Sequence, residues 1–235
     1  MGGKLGQMAA LAAALLLAAC QSPQLAVSAL PDTPVVSGRS VIAQAAEAST
    51  PMPVGAATDA PSGYLAFCAR QPAECAEPAN APDAVALDTA AWATLQQVNA
   101  AYNAAIQPEE DSVHYGRVDY WTIPTDGFGD CEDYALAKRK ALIAANFSPR
   151  ALRIAVARSN TGEPHAVLTV ATDHGDYVLD NLTDAILPWS ETRLSWIARQ
   201  VPGQPAWASF DPSGRSNLVV ASTGADQQTH AAEAP

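Results

Sequence analysis

Residues 126–140 read DGFGDCEDYALAKRK, and within them a single cysteine, Cys131, stands between Asp130 and Glu132, with Asp133 next in line. Nearby negative charge disfavours a second anion, so it raises a thiol's pKa and suppresses the thiolate that does nucleophilic chemistry. Either Cys131 is no nucleophile, or something neutralises those carboxylates. The same stretch reads as the start of a helix running from about Cys131 to Ala145. Cys131 would then sit in the first turn, where free backbone N–H groups and the positive end of the helix dipole favour a thiolate. Ala135, Leu136, Leu142 and Ile143 would face inward. Lys138, Arg139 and Lys140 would fall towards the C-terminal half, where cations suit the dipole, and Asn146 followed by Ser148-Pro149 can stop the helix.

Working outward, LDTAAWATLQQVNAAYNAAI (87–106) repeats apolar side chains at three- and four-residue steps through Trp92, Leu95, Val98, Tyr102 and Ile106. That spacing predicts a helix with one buried face and Asp88 as its N-cap. HYGRVDYWTIPTDGFG (114–129) is rich in turn residues and aromatics and reads as a loop. After Asn146 the period changes. ALRIAVARS (151–159), HAVLTVATD (165–173) and GDYVLDNL (175–182) are short β-prone runs separated by NTGEP and DHG, which predicts antiparallel strands joined by tight turns. Helices followed by a run of strands indicate an α+β domain.

This order of elements bears on chemistry. His165 opens one predicted strand and Asp180 lies near the end of the next, so adjacent antiparallel strands would set them side by side. A helix carrying Cys131 and packed on that sheet would complete nucleophile, base and orienting acid. Among the other candidates, His114 reads as a surface or core-edge imidazole, His174 as part of a hairpin turn, His230 as part of a loose tail, Trp121 as packing and Asn181 as a strand-end hydrogen-bonding group.

The 235 residues are 49% apolar and carry a formal charge of −11. Without a basic cluster, that charge argues against a phosphate-binding surface for nucleic acid. Lys4 followed by MAALAAALLLAAC (8–20) has the short positive region and apolar core of a secretory signal, and it is too short to span a bilayer comfortably. It ends at Cys20 in LAAC, which resembles the lipobox of bacterial lipoproteins. The resemblance implies a signal over 1–19 and acylation of Cys20. It further implies a lipid anchor in the periplasmic envelope, with Gln21 suiting the outer membrane; the alternative is a periplasmic protein cut elsewhere. In an oxidising compartment Cys68 and Cys75, in FCARQPAEC, read as a disulfide, against two buried free thiols. Residues 20–62 read as a flexible tether and 203–235 as a tail with no pattern that could bury a face, leaving a folded domain over 63–202.

Three segments together, DYWTIPTDGFGDCEDYALAKRKAL (119–142), GEPHAVLTV (162–170) and YVLDN (177–181), resemble the bacterial transglutaminase-like cysteine peptidases of the LapG type. The resemblance implies a papain-like, transglutaminase-type fold and peptide-bond cleavage by Cys131 as nucleophile, His165 as base and Asp180 as the acid that holds the imidazole. It also implies calcium dependence, with Asp130 and Glu132 at the ion and Asp133 as a further candidate ligand. A hard cation takes carboxylate oxygens and would neutralise the charge around the thiol. The competing reading makes Asp130 a helix cap and Glu132 and Asp133 ordinary first-turn acids. The implied partners are an exported or surface protein substrate such as a large adhesin, and an inner-membrane regulatory receptor. Transfer of the acyl group to an amine, or a non-catalytic binding module on the same fold, stand as alternatives.

Overall fold

In the computed structural model, which describes residues 49–201 and 206–210, the change of period after Asn146 becomes a change of layer, from helices to an antiparallel sheet. In chain order the elements are β1 (Ala57–Thr58), α1 (Ser62–Arg70), a 3-10 turn (Pro72–Cys75), α2 (Thr89–Ala105), β2 (Gln107–Pro108), α3 (Asp111–His114), β3 (Phe128–Gly129) and α4 (Cys131–Ala144). There follow β4 (Leu152–Arg158), β5 (Pro164–Thr172), β6 (Gly175–Leu179), β7 (Leu187–Pro188), a second 3-10 turn (Trp189–Glu191), β8 (Ser195–Gln200) and β9 (Trp207–Ser209). The main sheet has the order β1-β9-β8-β4-β5-β6-β7, and every neighbouring pair in it is antiparallel. This is the α+β architecture that the sequence resemblance implies.

Sequence explains each helix locally. Asp88 caps α2, its Oδ1 accepting from the Ala91 amide at 2.7 Å. Leu95 and Ile106 on the predicted stripe are buried, and Trp92 packs edge-on against Tyr177 with centroids 5.2 Å apart. At the far end of α4, Asn146 adopts a left-handed φ of +67°. Its amide bonds to Ile143 O and the Phe147 amide to Leu142 O, the paired reverse bonds of a Schellman ending. The central helix packs on β5 and β4 and beside α2. Between the layers lie Phe67, Leu95, Leu136, Leu142, Leu168, Val170, Tyr177 and Leu179.

Along the central strands every second residue faces this core, while Ala155, Val167 and Val178 face the other way, under Trp189, Leu194 and Trp196. Both faces of β4 and β5 are therefore covered, which is why these strands read as nearly unbroken apolar runs.

Two assignments differ from the sequence reading. The cations of α4 lie in its C-terminal half, but two of them have internal partners beyond the dipole: Lys138 is fully buried, and the Arg139 guanidinium donates to the carbonyls of Leu152, Glu74 and Pro149. Helix periodicity sets which residues turn inward, and here that face includes polar groups with internal partners. The fold also takes in chain outside 63–202. Strand β1 pairs with β9, Trp207 is buried against Tyr64, and Met52 is buried with its amide on Asp176 Oδ2 at 3.0 Å. A lone tryptophan and a lone methionine among Pro, Gly and Ala give no periodicity, so local pattern cannot signal their burial. Residues 1–19, Cys20, the tether up to residue 48, and the tail from 211 with His230 lie outside the described residues. Among the described residues no helix is long and apolar enough to cross a membrane.

Candidate active site

Cys131 is the first residue of α4, and the short strand β3 delivers it. Gly129 must be small there, because a Cβ would come within 2.8 Å of the Asp133 side chain. The thiol is met from the sheet. The β5–β6 ladder ends at the pair Leu168↔Leu179, so the amide of Ala166 lies beyond it and donates instead to Cys131 Sγ at 3.3 Å. The residue before Ala166 is His165, whose Nε2 meets Asp180 Oδ1 at 2.8 Å; the ring is 5% exposed. A ring that donates from Nε2 to a carboxylate keeps its basic lone pair on Nδ1. Asp180 Oδ1 also accepts from the Leu182 amide at 3.0 Å. Burial works to raise the Asp180 pKa, but the His165 hydrogen bond and charge, the Leu182 amide and Lys138 outweigh it, and the carboxyl stands below its ordinary value.

On its other side the thiol faces acid. Cys131 Sγ donates to Glu132 Oε2 at 3.2 Å. Burial, then the charges of Glu132 and Asp130, push the thiol pKa well above normal. Carboxylate oxygens of Asp111, Asp130 and Glu132 all lie within 4.8 Å of one another. Asp111 is 3% exposed and Glu132 7%. Burial raises the pKa of Asp130 to about 6, and burial with the neighbouring Asp130 charge raises Glu132 well above its usual value. Asp130 occupies the N-cap position of α4, yet its side chain makes no capping bond. Asp130 Oδ1 and Asp111 Oδ1 are buried without a hydrogen-bond partner.

Of the three carboxylates singled out from the sequence, Asp130 and Glu132 are in this cluster and Asp133 is not. Its Oδ1 accepts from the Thr122 amide at 2.7 Å, which ties the preceding loop to the helix. Asp111 takes its place. Nothing local distinguishes it within the acidic run EED (109–111); it arrives by topology. The parallel pairing of β2 with β3 and the bond from Glu109 N to Gly129 O, 3.0 Å, set α3 beside the start of α4. The other Asp111 oxygen accepts from the Tyr120 amide.

The remaining candidates lie apart. His114 Nε2 pairs with Asp126 at 2.9 Å, and His174 pairs with Asp173 in the β5–β6 turn. Trp121 is 1% exposed, with its indole N–H on Asp119. Cys68 and Cys75 are joined as a disulfide, which leaves Cys131 as the free thiol of the described residues.

A family profile described as bacterial transglutaminase-like cysteine proteinase matches residues 54–215. Among solved structures, EGTA-treated LapG of Legionella pneumophila is similar at 31% identity and a TM-score of 0.44, over 50% of this chain and 67% of that one. Its calcium-bound form is similar at 30% identity and a TM-score of 0.44, over 50% and 68%. A search of curated proteins finds no match.

Proposed function

The chain belongs to the bacterial transglutaminase-like cysteine proteinases and is a cysteine protease; we propose that it works through Cys131, His165 and Asp180, under the control of a calcium ion held by Asp111, Asp130 and Glu132. The observation that carries the triad is the His165–Asp180 contact of 2.8 Å beside a thiol that accepts the very next amide of the same strand.

In this reading His165 takes the thiol proton on Nδ1, and Cys131 Sγ attacks the substrate carbonyl carbon. The C–S bond forms as the carbonyl oxygen takes up negative charge, with the Cys131 amide at the helix N-terminus as an oxyanion donor. Collapse breaks the C–N bond, and His165 gives its proton to the departing amine. Water then loses a proton to His165 and adds to the thioester, and expulsion of the thiolate releases the new carboxylate. Asp180 holds the ring and balances its charge throughout.

The acid cluster fits a hard cation: its donors are all carboxylate oxygens, two of them buried and otherwise unpartnered. When bound, calcium would supply the positive charge that offsets Glu132 and Asp130. Glu132 would then be drawn from the thiol, and His165 would be left as its only base. Substrates are proposed to be exported or surface polypeptides, a class that rests on the leader-like run ending at Cys20.

The test compares envelope-protein N-termini, by terminal labelling and mass spectrometry, between cells carrying the wild type and cells carrying Cys131→Ala at equal expression. New termini that depend on Cys131 are expected. Their absence, with exported proteins well covered, would move the reading to amine transfer.

A further inference from the structure

Lys138 lies two turns below Cys131 on α4 and is completely buried. A buried ammonium is costly unless it has partners, so its presence in this core needs a cause. Its Nζ donates to Asn99 Oδ1 of α2 at 2.7 Å, and Asn99 is itself fully buried. The Asn99 amide in turn donates to the carbonyls of Thr183, at 3.1 Å, and Asp184, at 3.2 Å. One turn further along α2, the Asn103 amide donates to Asp180 O at 3.0 Å, Thr183 O at 3.1 Å and Asp184 Oδ1 at 2.9 Å. The five bonds from the two asparagine amides all fall on residues 180–184, the turn that begins with the partner of His165. The sheet does not hold that turn: β6 ends at Leu179 and β7 begins at Leu187. The two asparagines act where ladder bonds would otherwise act. Lys138 ties them to the helix that carries the thiol, and the Asp180 and Asp184 charges favour its protonated form against the burial that opposes it.

We propose that Asn99, Asn103 and Lys138 are positioning residues of the protease: they lock the 180–184 turn onto α2 and α4, so that Asp180 keeps its place against His165 while the same helix presents Cys131. The inference rests on the triad reading given above. A clamp that served only stability would lower the unfolding temperature and leave thiol chemistry alone, whereas a positioning clamp must change the thiol.

The experiment follows alkylation of Cys131 by iodoacetamide in the full chain with calcium, read on the Cys131 peptide by mass spectrometry between about pH 5 and pH 9, the span in which an imidazole-paired thiolate and a free thiol differ. Wild type, Asn103→Ala and Lys138→Met are compared, each with its melting temperature. Asn103 is only half buried, so its alanine variant keeps the folding question separate from the chemical one. In wild type, reactivity persists well below the ionisation of a free thiol, as a thiolate–imidazolium pair requires. In folded Asn103→Ala, reactivity near pH 6 falls on the order of tenfold, the loss expected from one or two net hydrogen bonds. Unchanged low-pH reactivity in folded Asn103→Ala would overturn the clamp. A wild type without that reactivity would overturn the triad reading and the clamp with it.

Discussion

Asp130 stands where a helix cap belongs and does not cap: its buried Oδ1 has no partner, and neither does Asp111 Oδ1 across from it. An aspartate in this position normally satisfies a first-turn amide, so the unfilled bond is better explained by a cation than by the helix. Asp111 is the sharpest single test, because it lies outside residues 126–140 around the cysteine and has no part in the thiol's own hydrogen bonds. Asp111→Asn keeps an acceptor for the Tyr120 amide while removing the charge. It should raise the calcium concentration that half-stabilises the protein in thermal melts by at least about tenfold, the scale on which metal sites respond even to outer partners. An unchanged calcium midpoint would remove Asp111 from the site. Asp130 and Glu132 were legible in the sequence as charged neighbours of the cysteine. Asp111 was not, because its proximity depends on a two-residue parallel pairing that carries no sequence pattern.

At the scale of the element, the first turn of α4 gathers carboxyl groups that burial drives towards the neutral form. Asp133 is pushed up to about 8, by burial and then by the charges of Asp130 and Asp111, and Asp130 to about 6. A carboxyl whose folded pKa lies above its unfolded value binds its proton more tightly in the native state. Its contribution is complete below the unfolded value of 3.8 and is lost as pH rises through the folded one. Without calcium, the melting temperature should therefore fall as pH rises between about 5 and 7. The buried Lys138, lowered to about 7, adds an opposite slope only above that window. Asp133→Asn keeps the acceptor for the Thr122 amide and should flatten the fall, raising the melting temperature in EGTA at pH 7 by about 3 °C or more, which for a chain of this size is roughly 1 kcal/mol. Equal slopes in the two proteins would contradict the assignment. The extent of this helix was readable from periodicity and from Asn146. Its buried cations were not: Lys138, Arg139 and Lys140 are adjacent in sequence, and only tertiary partners separate the buried pair from Lys140, whose Nζ meets Glu74 at 2.6 Å near the surface.

At the scale of the molecule, the order of helices before strands was enough to give the α+β class, and the three strands fell on the β-prone runs set off by turn residues. The rim of the sheet was less visible. Strands β1 and β9 are two and three residues long, and the segment before β1 is held by polar bonds: Arg199 Nη2 donates to Met52 O at 2.5 Å, and Arg199 Nη1 meets Asp176 Oδ2 at 3.4 Å, both buried. The Arg199–Met52 bond and the β1–β9 pairing join residues more than a hundred positions apart, which no local window registers. This closure completes a sheet on which β5 offers His165 and the Ala166 amide, β6 leads into Asp180, and α4 brings in the thiol. In the proposed mechanism one thiol answers both to the His165–Asp180 pair on the sheet and to the acid cluster at the helix start, and a cation decides between them. The direct measurement is the rate of Cys131 alkylation in the full chain at pH 7, read on its own peptide, in calcium and in excess EGTA. Calcium should accelerate it about tenfold or more, the effect of lowering the thiol pKa by one unit or more; an equal rate in EGTA would contradict the account.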